Sequence, residues 1–136
     1  MVPMMAREPA STAAFLTLEQ DRTVVTWWGS VVECASAIAR KEREEGISPR
    51  SADVMRLRLT LLANTWTQVE PADPVRQNAL RVLRTHRLRA ADALQLAAAI
   101  AAAAGTPATL PFVTLDERLA RAASAEGFPV IMPGQD

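Results

Sequence analysis

An alanine-rich stretch in the second half of the chain constrains the fold more than any other feature. From Leu88 to Ile100, small or apolar residues occupy nearly every position, and the exceptions are Arg89, Asp92 and Gln95. Because apolar residues surround the predicted helix on most sides, the helix must lie deep against other elements. Asp92 falls in its first turn, where a helix stabilises negative charge, so its carboxylate is expected to face an interior crevice.

Length and composition fit one packed domain. The chain has 136 residues, of which 49% are hydrophobic and only 4% aromatic, so Ala, Leu and Val must build the core. The apolar run from Ala90 to Leu110 is interrupted by polar residues and is a poor membrane span. Since Met1 is not followed by a secretory signal either, we expect a cytoplasmic protein without a membrane partner.

Charge and cysteine content narrow the function classes. Fifteen Lys and Arg residues balance fifteen Asp and Glu residues, so nucleic-acid binding would need a local basic patch. Cys34 is the only cysteine in the sequence, which excludes an internal disulfide and a multi-cysteine zinc site. We expect Cys34 to be a small buried residue of a helix.

Hydrophobic periodicity predicts short strands that alternate with helices. The predicted strands cover residues 23–27, 65–69, 112–114 and 129–131, and the predicted helices cover residues 2–6, 11–19, 30–46, 48–62, 73–86, 88–105 and 116–126. This alternation is typical of an α/β domain with a short, mostly parallel sheet and helices on both faces. In such sheets, ligands bind at the carboxyl ends of the strands, where helix N-termini gather.

Three acidic residues begin three of these helices. Glu33 follows the first predicted strand, Asp92 begins the alanine-rich helix, and Asp116 follows the third predicted strand. All three are therefore expected on the same rim of the sheet. Carboxylate oxygens are the ligands that Mg²⁺ or Mn²⁺ prefers, and Mg²⁺ keeps several waters that a substrate phosphate can displace. The three residues together predict phosphodiester chemistry.

Each of these carboxylates also has a purely structural explanation. Ser30 and Glu33 match the capping box, which accounts for Glu33 as well as metal binding does. Asp116 is suited to capping the helix that follows it. Asp92 is the hardest to explain structurally, because a buried carboxylate without a partner is costly. The coincidence of all three favours the metal site.

Two motifs occur in a specific order in the second half of the chain. They are Arg89-Ala-Ala-Asp-Ala-Leu-Gln-Leu-Ala97 and Phe112-Val-Thr-Leu-Asp-Glu-Arg-Leu-Ala-Arg-Ala-Ala123. The pair resembles the carboxyl-terminal half of PIN-domain ribonucleases of the VapC toxin type. Residues 32–40 resemble the second acidic motif of that family, and residues 7–11 resemble its stretch after the first strand. The resemblance spans nearly the whole chain.

The resemblance implies a fold, an activity and partners. It implies one PIN-like three-layer α/β domain over residues 1–136, acting as a Mg²⁺- or Mn²⁺-dependent endoribonuclease. It also implies the toxin of a type II toxin–antitoxin system, a homodimer that a cognate VapB-like antitoxin neutralises. Glu33, Asp92 and Asp116 match the second, third and fourth acidic positions of the family, so they are the predicted catalytic and metal-binding residues.

The first acidic position of the family has no match in this sequence. In the family it lies on the opening strand, in a pattern like Asp-x-Ser-Ala-Leu, whereas residues 2–6 here are predicted to be helical. The chain is therefore expected to be shortened at its amino end relative to the family, without the first strand or the first acidic ligand. The other early acids, Glu8, Glu19 and Asp21, are expected in loops or at helix ends.

Two functions follow from this departure and stay open at the level of sequence. In the first, the coding sequence begins about ten residues upstream, the length of one short strand, and the protein is an active ribonuclease. In the second, the protein is a catalytically inactive PIN-like protein that binds an antitoxin or a sister toxin. Exposed apolar residues over 13–18 and 54–62 are candidate surfaces for a partner helix or a second copy of the chain.

Basic and aromatic residues supply candidate RNA contacts. The arginines with suitable spacing are Arg81, Arg84, Arg87, Arg89, Arg118 and Arg121. An ordinary solvated helix face accounts better for Arg81 and Arg84. Trp27 and Trp28 are candidates for base stacking, although at least one of them is expected in the core.

Two further side chains near the predicted site receive structural roles. Thr114 is expected to orient Asp116 through a hydrogen bond. His86 is expected at a helix end rather than as a metal ligand or a base.

Overall fold

The computed structural model describes residues 4–5 and 24–134. In chain order its elements are β1 (Met4–Met5), β2 (Val25–Trp27), α1 (Ser30–Glu44), α2 (Pro49–Ala63), β3 (Thr67–Val69), α3 (Asp73–Thr85), α4 (Ala90–Ala103), a 3₁₀ turn (Pro107–Thr109), β4 (Phe112–Val113), α5 (Glu117–Ala125) and β5 (Val130–Ile131). The predictions over residues 6–23, including the helix over 11–19 with its apolar face, the motif over 7–11 and the early acids, lie outside the described residues.

The described strands form one parallel sheet in the order β3-β2-β1-β4-β5. Val25 of β2 is paired with Thr67 of β3, and Phe112 of β4 is paired with Val130 of β5. From the central strand β1, the chain adds β2 and then β3 towards one edge of the sheet, and afterwards adds β4 and β5 towards the other edge. The change of direction therefore falls between β1 and β4, the place where such sheets bind ligands. The predicted α/β architecture is confirmed.

The central strand β1 overturns a prediction. Met4 is paired with Val25 on one side and with Phe112 on the other, so residues 4–5 belong to a strand and the helix predicted there is wrong. The expectation that the central strand is missing is wrong for the same reason. Backbone pairing on both edges decides the conformation here, and it outweighs the weak strand preference of a methionine pair. Neither residue of β1 is acidic, so β1 supplies no carboxylate.

Two apolar clusters on opposite faces of the sheet form the core. Val24, just before β2, packs with residues of α1 and α2 and with Trp66, and Cys34 belongs to this cluster as expected. Trp27 at the end of β2 packs in the other cluster with residues of α3, α4 and α5. Side chains of a strand alternate between the two faces, so β2 serves both clusters. The helices therefore cover both faces, which confirms the predicted three layers.

Helix α4 lies at the centre of the larger cluster. Ala93, Leu96 and the three alanines 97–99 are all 0% exposed, which confirms the predicted burial. Alanine has no side chain beyond Cβ, so the backbone of α3 can approach α4 closely. The helix ends where Ala104 and Gly105 take left-handed conformations, with φ of 49° and 88°. Along residues 4–5 and 24–134, no helix is long and apolar enough to cross a membrane.

Candidate metal and nucleic-acid site

A cleft of about 710 Å³ opens where α4 and α5 begin. Its lining combines carboxylates with guanidinium groups and comprises Arg87, Leu88, Arg89, Asp92, Asp116, Glu117, Arg118 and Arg121. The segment between α3 and α4 contributes Arg87, Leu88 and Arg89, α4 contributes Asp92, and the N-cap and first two turns of α5 contribute the others. Two helix N-termini therefore meet in one cleft, as expected at the carboxyl edge of a parallel sheet.

Asp92 is the buried carboxylate of the cleft. It is the third residue of α4 and only 5% exposed, although its neighbours Ala91 and Leu94 are partly exposed. The first-turn N–H groups and the helix dipole favour a negative charge at this position. A buried carboxylate also strongly favours a cation or hydrogen-bond donors nearby. The sequence-based expectation that Asp92 faces an interior crevice is consistent with this geometry.

Asp116 caps α5, which confirms its predicted structural role, and it also lines the cleft. Its Oδ1 accepts hydrogen bonds from the backbone N–H groups of Arg118 at 2.8 Å and Leu119 at 3.1 Å. The hydroxyl of buried Thr114 accepts a hydrogen bond from the backbone N–H of Asp116 at 3.0 Å. Thr114 therefore positions the Asp116 backbone rather than its carboxylate. The start of α5 is therefore held by hydrogen bonds to the Asp116 side chain and by the hydrogen bond from the Asp116 backbone.

Glu33 is placed differently from the capping box that the sequence predicts. Gly29 is the N-cap of α1, and no side chain provides a capping hydrogen bond there. Ser30 already lies inside the helix, fully buried, so the capping box is wrong. A side chain at Gly29 would place Cβ 2.7 Å from Nε1 of Trp27, so only glycine lets α1 begin beside that indole. The Glu33 carboxylate instead accepts a hydrogen bond from Nε2 of Gln95 on α4.

Two of the three predicted site residues share the cleft, and the third contacts α4 at a neighbouring position. Asp92 and Gln95 are three residues apart on α4 and share a face, so the bond from Gln95 brings Glu33 to the Asp92 side. Asp92 and Asp116 line the same cleft, but Glu33 does not line it. Within the ranges 4–5 and 24–134, no group of three His, Cys, Asp or Glu side chains could hold a metal ion. The arrangement fits Mg²⁺ bound through one or two carboxylates with waters in its remaining positions.

Four of the predicted arginines line this cleft, and two do not. Arg87, Arg118 and Arg121 also line an adjoining cavity of about 550 Å³, together with His86 and Ala122 among others. This cavity has no carboxylate in its lining. Positive side chains therefore extend from the carboxylates of the cleft along one side of α5, a distribution suited to a chain of phosphates.

Arg81 is engaged in an ion pair instead. Its Nη2 donates to Oε1 of Glu126 at 2.7 Å, and Nε2 of His86 lies 2.9 Å from Oε2 of the same carboxylate. The hydrogen bond from Arg81 is the largest cause that lowers the pKa of Glu126, desolvation opposes it, and His86 lowers it further. The network ties the end of α3 to the end of α5 and holds the linker that carries Arg87 and Arg89. His86 follows α3 as its C-cap, as expected.

Glu126→Gln is expected to lower the free energy of unfolding by about 1 kcal/mol at neutral pH, after allowance for the half-exposed Arg81. The folded pKa of Glu126 lies below its ordinary value, so the stabilisation is present above that value. It is lost as the pH falls through the folded pKa. Urea unfolding of both proteins at about pH 7 and about pH 3.5 measures the difference, which should shrink in acid. The exposed Glu70→Gln is the control, and a difference that is the same at both pH values would contradict the assignment.

Two aromatic candidates separate as expected. Trp27 is 8% exposed and belongs to the core, whereas Trp28 is 51% exposed.

Two residues of the site and its surroundings, Gln95 and Glu126, were not predicted from the sequence. A signal for Gln95 existed, because a polar residue three positions after Asp92 stands out in an apolar helix. No local signal marks Glu126, since its partners Arg81 and His86 lie 45 and 40 residues away.

The fold and the cleft define an α/β domain with an acidic and basic site at its helix N-termini. The model of the PIN domain family matches residues 2–125. The chain therefore belongs to the PIN domain family, whose members are generally nucleases. This confirms the broader part of the resemblance noted above.

Solved structures support the same fold. FitAcB from Neisseria gonorrhoeae is similar with 17% identity and a TM-score of 0.62, and the match covers 98% of each chain. PAE2754 from Pyrobaculum aerophilum is similar with 17% identity and a TM-score of 0.64 over 95% of this chain and 89% of that one. FitAB bound to the IR36 DNA fragment matches with 15% identity and a TM-score of 0.59 over 96% and 94% of the two chains. No curated protein sequence gives a significant match.

Proposed function

We propose that this chain is a Mg²⁺- or Mn²⁺-dependent endoribonuclease of the VapC toxin type, with Asp92, Glu33 and Asp116 as its catalytic and metal-binding residues. The observation that carries the proposal is the cleft in which buried Asp92 lies beside Asp116 and several arginines. Buried carboxylates suit a divalent cation, and guanidinium groups suit the phosphates on either side of a scissile bond.

Each part of the site has a distinct task in this proposal. Asp92 and Glu33 hold the divalent ion, directly or through water, and Asp116 completes the site or orients a bound water. When bound, the ion lowers the pKa of a water and neutralises charge on the scissile phosphate. Arg118 and Arg121 bind phosphates of the RNA strand and fix its position without reading its sequence. The half-exposed Trp28 is available for base stacking.

Metal removal tests the proposal directly. We expect the purified protein to cleave single-stranded RNA in Mn²⁺, to lose this activity in excess EDTA and to regain it when Mn²⁺ is restored. The cleavage is followed on a fluorescently labelled oligonucleotide, with unfolding monitored in parallel to show that EDTA leaves the fold intact. Cleavage that persists in EDTA would contradict a metal-dependent mechanism.

The proposal includes a cytoplasmic homodimer that a VapB-like antitoxin neutralises. Val54, Leu57 and Leu61 on α2 are 51%, 61% and 60% exposed, and their spacing places them on one helix face. An exposed apolar stripe of this kind supports docking of an amphipathic helix or a second copy of the chain. One of the similar structures is that of FitAB bound to the IR36 DNA fragment.

One observation favours a second function, a catalytically inactive PIN-like protein that binds an antitoxin or a sister toxin. The central strand β1 consists of two methionines and carries no acid. Calorimetric titration with Mn²⁺ separates the two functions. Binding that weakens in Asp92→Asn supports the nuclease, whereas absence of Mn²⁺ binding in the unmodified protein supports the interaction protein.

A further inference from the structure

Gln95 is a polar residue in a place that favours an apolar one. It is 0% exposed and lies in α4 between Leu94 and Leu96, in the most apolar helix of the described chain. Burial of an amide is unfavourable unless its donors and acceptor are paired. Its Oε1 has no hydrogen-bond partner among the residues that the structure describes. A leucine or methionine here would remove that penalty, so the amide needs another explanation.

The one hydrogen bond of Gln95 found in the structure supplies the explanation. Its Nε2 donates to the carboxylate of Glu33, 62 residues away in sequence. An ionised carboxylate only accepts hydrogen bonds, so the amide must present its NH₂ group to Glu33 and turn its oxygen away. The unpaired Oε1 is therefore a consequence of the contact with Glu33. The orientation of Gln95 serves that carboxylate at the expense of its own acceptor.

The Glu33 carboxylate can bind an ion in a defined geometry only if its side-chain conformation is restricted. Glu33 lies in the first turn of α1, and its side chain is only half-buried. A glutamate has several rotatable bonds, and their freedom must be lost when the carboxylate takes up a fixed position. Asp92 and Gln95 share a face of α4, so the bond from Gln95 holds the Glu33 carboxylate on the face of α4 that carries Asp92.

We propose that Gln95 is a positioning residue, which holds the Glu33 carboxylate beside Asp92 in the geometry that binds a divalent cation. The inference rests on the proposed metal-dependent function, because it assigns Gln95 a role towards the ligand set named there. Donors that hydrogen-bond a metal-binding carboxylate set its orientation before the ion arrives. Gln95 itself contacts neither the ion nor the RNA.

Gln95→Met tests the role, because methionine has nearly the volume of glutamine and leaves the core filled. We expect the dissociation constant for Mn²⁺, measured by calorimetry without RNA, to rise about 10-fold to 100-fold. Gln95→Asn is the second variant, since it keeps a buried amide but is one methylene too short to reach Glu33. Gln95→Asn should weaken Mn²⁺ binding to a similar extent. If the methionine variant does not fold, the asparagine variant alone tests the role of Gln95. Thermal unfolding of the metal-free proteins establishes that the fold is retained.

A double-mutant cycle distinguishes positioning from a general structural effect. If Gln95 acts through Glu33, Gln95→Met should weaken Mn²⁺ binding in the unmodified protein and have little further effect in Glu33→Gln. An equal loss in both backgrounds would overturn the inference, because Gln95 would then act independently of Glu33. Mn²⁺ affinity within about twofold of the unmodified protein in both Gln95 variants would overturn it as well.

The outcomes separate this inference from the proposed function. If the unmodified protein binds Mn²⁺ and Asp92→Asn weakens binding, but neither Gln95 variant does, only the positioning role fails. If the unmodified protein does not bind Mn²⁺, the metal site and the role of Gln95 fail together. A loss in the Gln95 variants that depends on Glu33 supports both.

Discussion

Asp92→Asn is expected to reduce Mn²⁺-dependent RNA cleavage by at least about 100-fold while the domain stays folded. Asparagine keeps the shape of the side chain but loses the charge that, in the proposed function, would hold a cation in the cleft. Loss of a metal contact removes several kcal/mol of transition-state stabilisation, and about 2.7 kcal/mol already corresponds to 100-fold. The measurement is the initial rate of cleavage of a labelled oligonucleotide at saturating Mn²⁺.

The fold of the Asp92→Asn variant needs an independent check. Its melting temperature should shift by less than about 5 °C, the change that about 1 kcal/mol produces in a domain of this size. Asp73→Asn is the matched control, because it makes the same chemical change at the start of α3, where the side chain is 82% exposed and outside the cleft. Unchanged cleavage by Asp92→Asn, or an equal loss in Asp73→Asn, would contradict the assignment of Asp92.

Replacement of both Arg118 and Arg121 by Gln is expected to weaken RNA binding about 10-fold to 100-fold at moderate salt. Both side chains are exposed and line the cleft and its adjoining cavity. Each arginine that no longer contacts a phosphate means that RNA binding releases about one counterion fewer. The magnitude of the slope of the log association constant against log salt concentration should therefore fall by about 1 to 2 units. Fluorescence anisotropy with a labelled oligonucleotide that cannot be cleaved, at several salt concentrations, measures both the affinity and the salt slope.

A control for overall charge accompanies this prediction. Arg50→Gln with Arg58→Gln removes the same number of positive charges from α2, and neither residue lines the cleft. This variant should keep nearly the affinity and the salt slope of the unmodified protein. If the two double variants behave alike, net charge explains the binding and the cleft arginines have no special part in it.

Several features of this fold could be predicted from local sequence. The burial of α4 follows from its alanines, because their small apolar side chains leave almost no polar face. Ser48 caps α2, and its Oγ accepts the backbone N–H of Ser51 at 3.0 Å, as the Ser-Pro start of that helix suggests. Asp116 caps α5 in the same way. These interactions join residues a few positions apart, so the sequence displays both partners together.

Other features had no local signal. The strand at Met4–Met5 exists because β2 and β4 pair with its two edges, and a methionine pair has little strand preference of its own. The sequence of residues 30–33 matched a capping box, yet Gly29 caps α1 and Glu33 contacts Gln95 instead. The helix begins one residue earlier than the pattern requires, at a glycine whose added Cβ would lie 2.7 Å from Nε1 of Trp27. Packing decided both outcomes.

The sequence by itself determined that acidic residues stand at the starts of helices in a parallel α/β domain, because periodicity and capping act within a few residues. Only the tertiary structure decided how these residues are grouped. It placed Asp92 and Asp116 in one cleft that Arg118 and Arg121 also line, connected Glu33 to α4 through Gln95, and paired Arg81 with Glu126. Such contacts join residues distant in the chain, and their geometry depends on how the helices pack across the sheet.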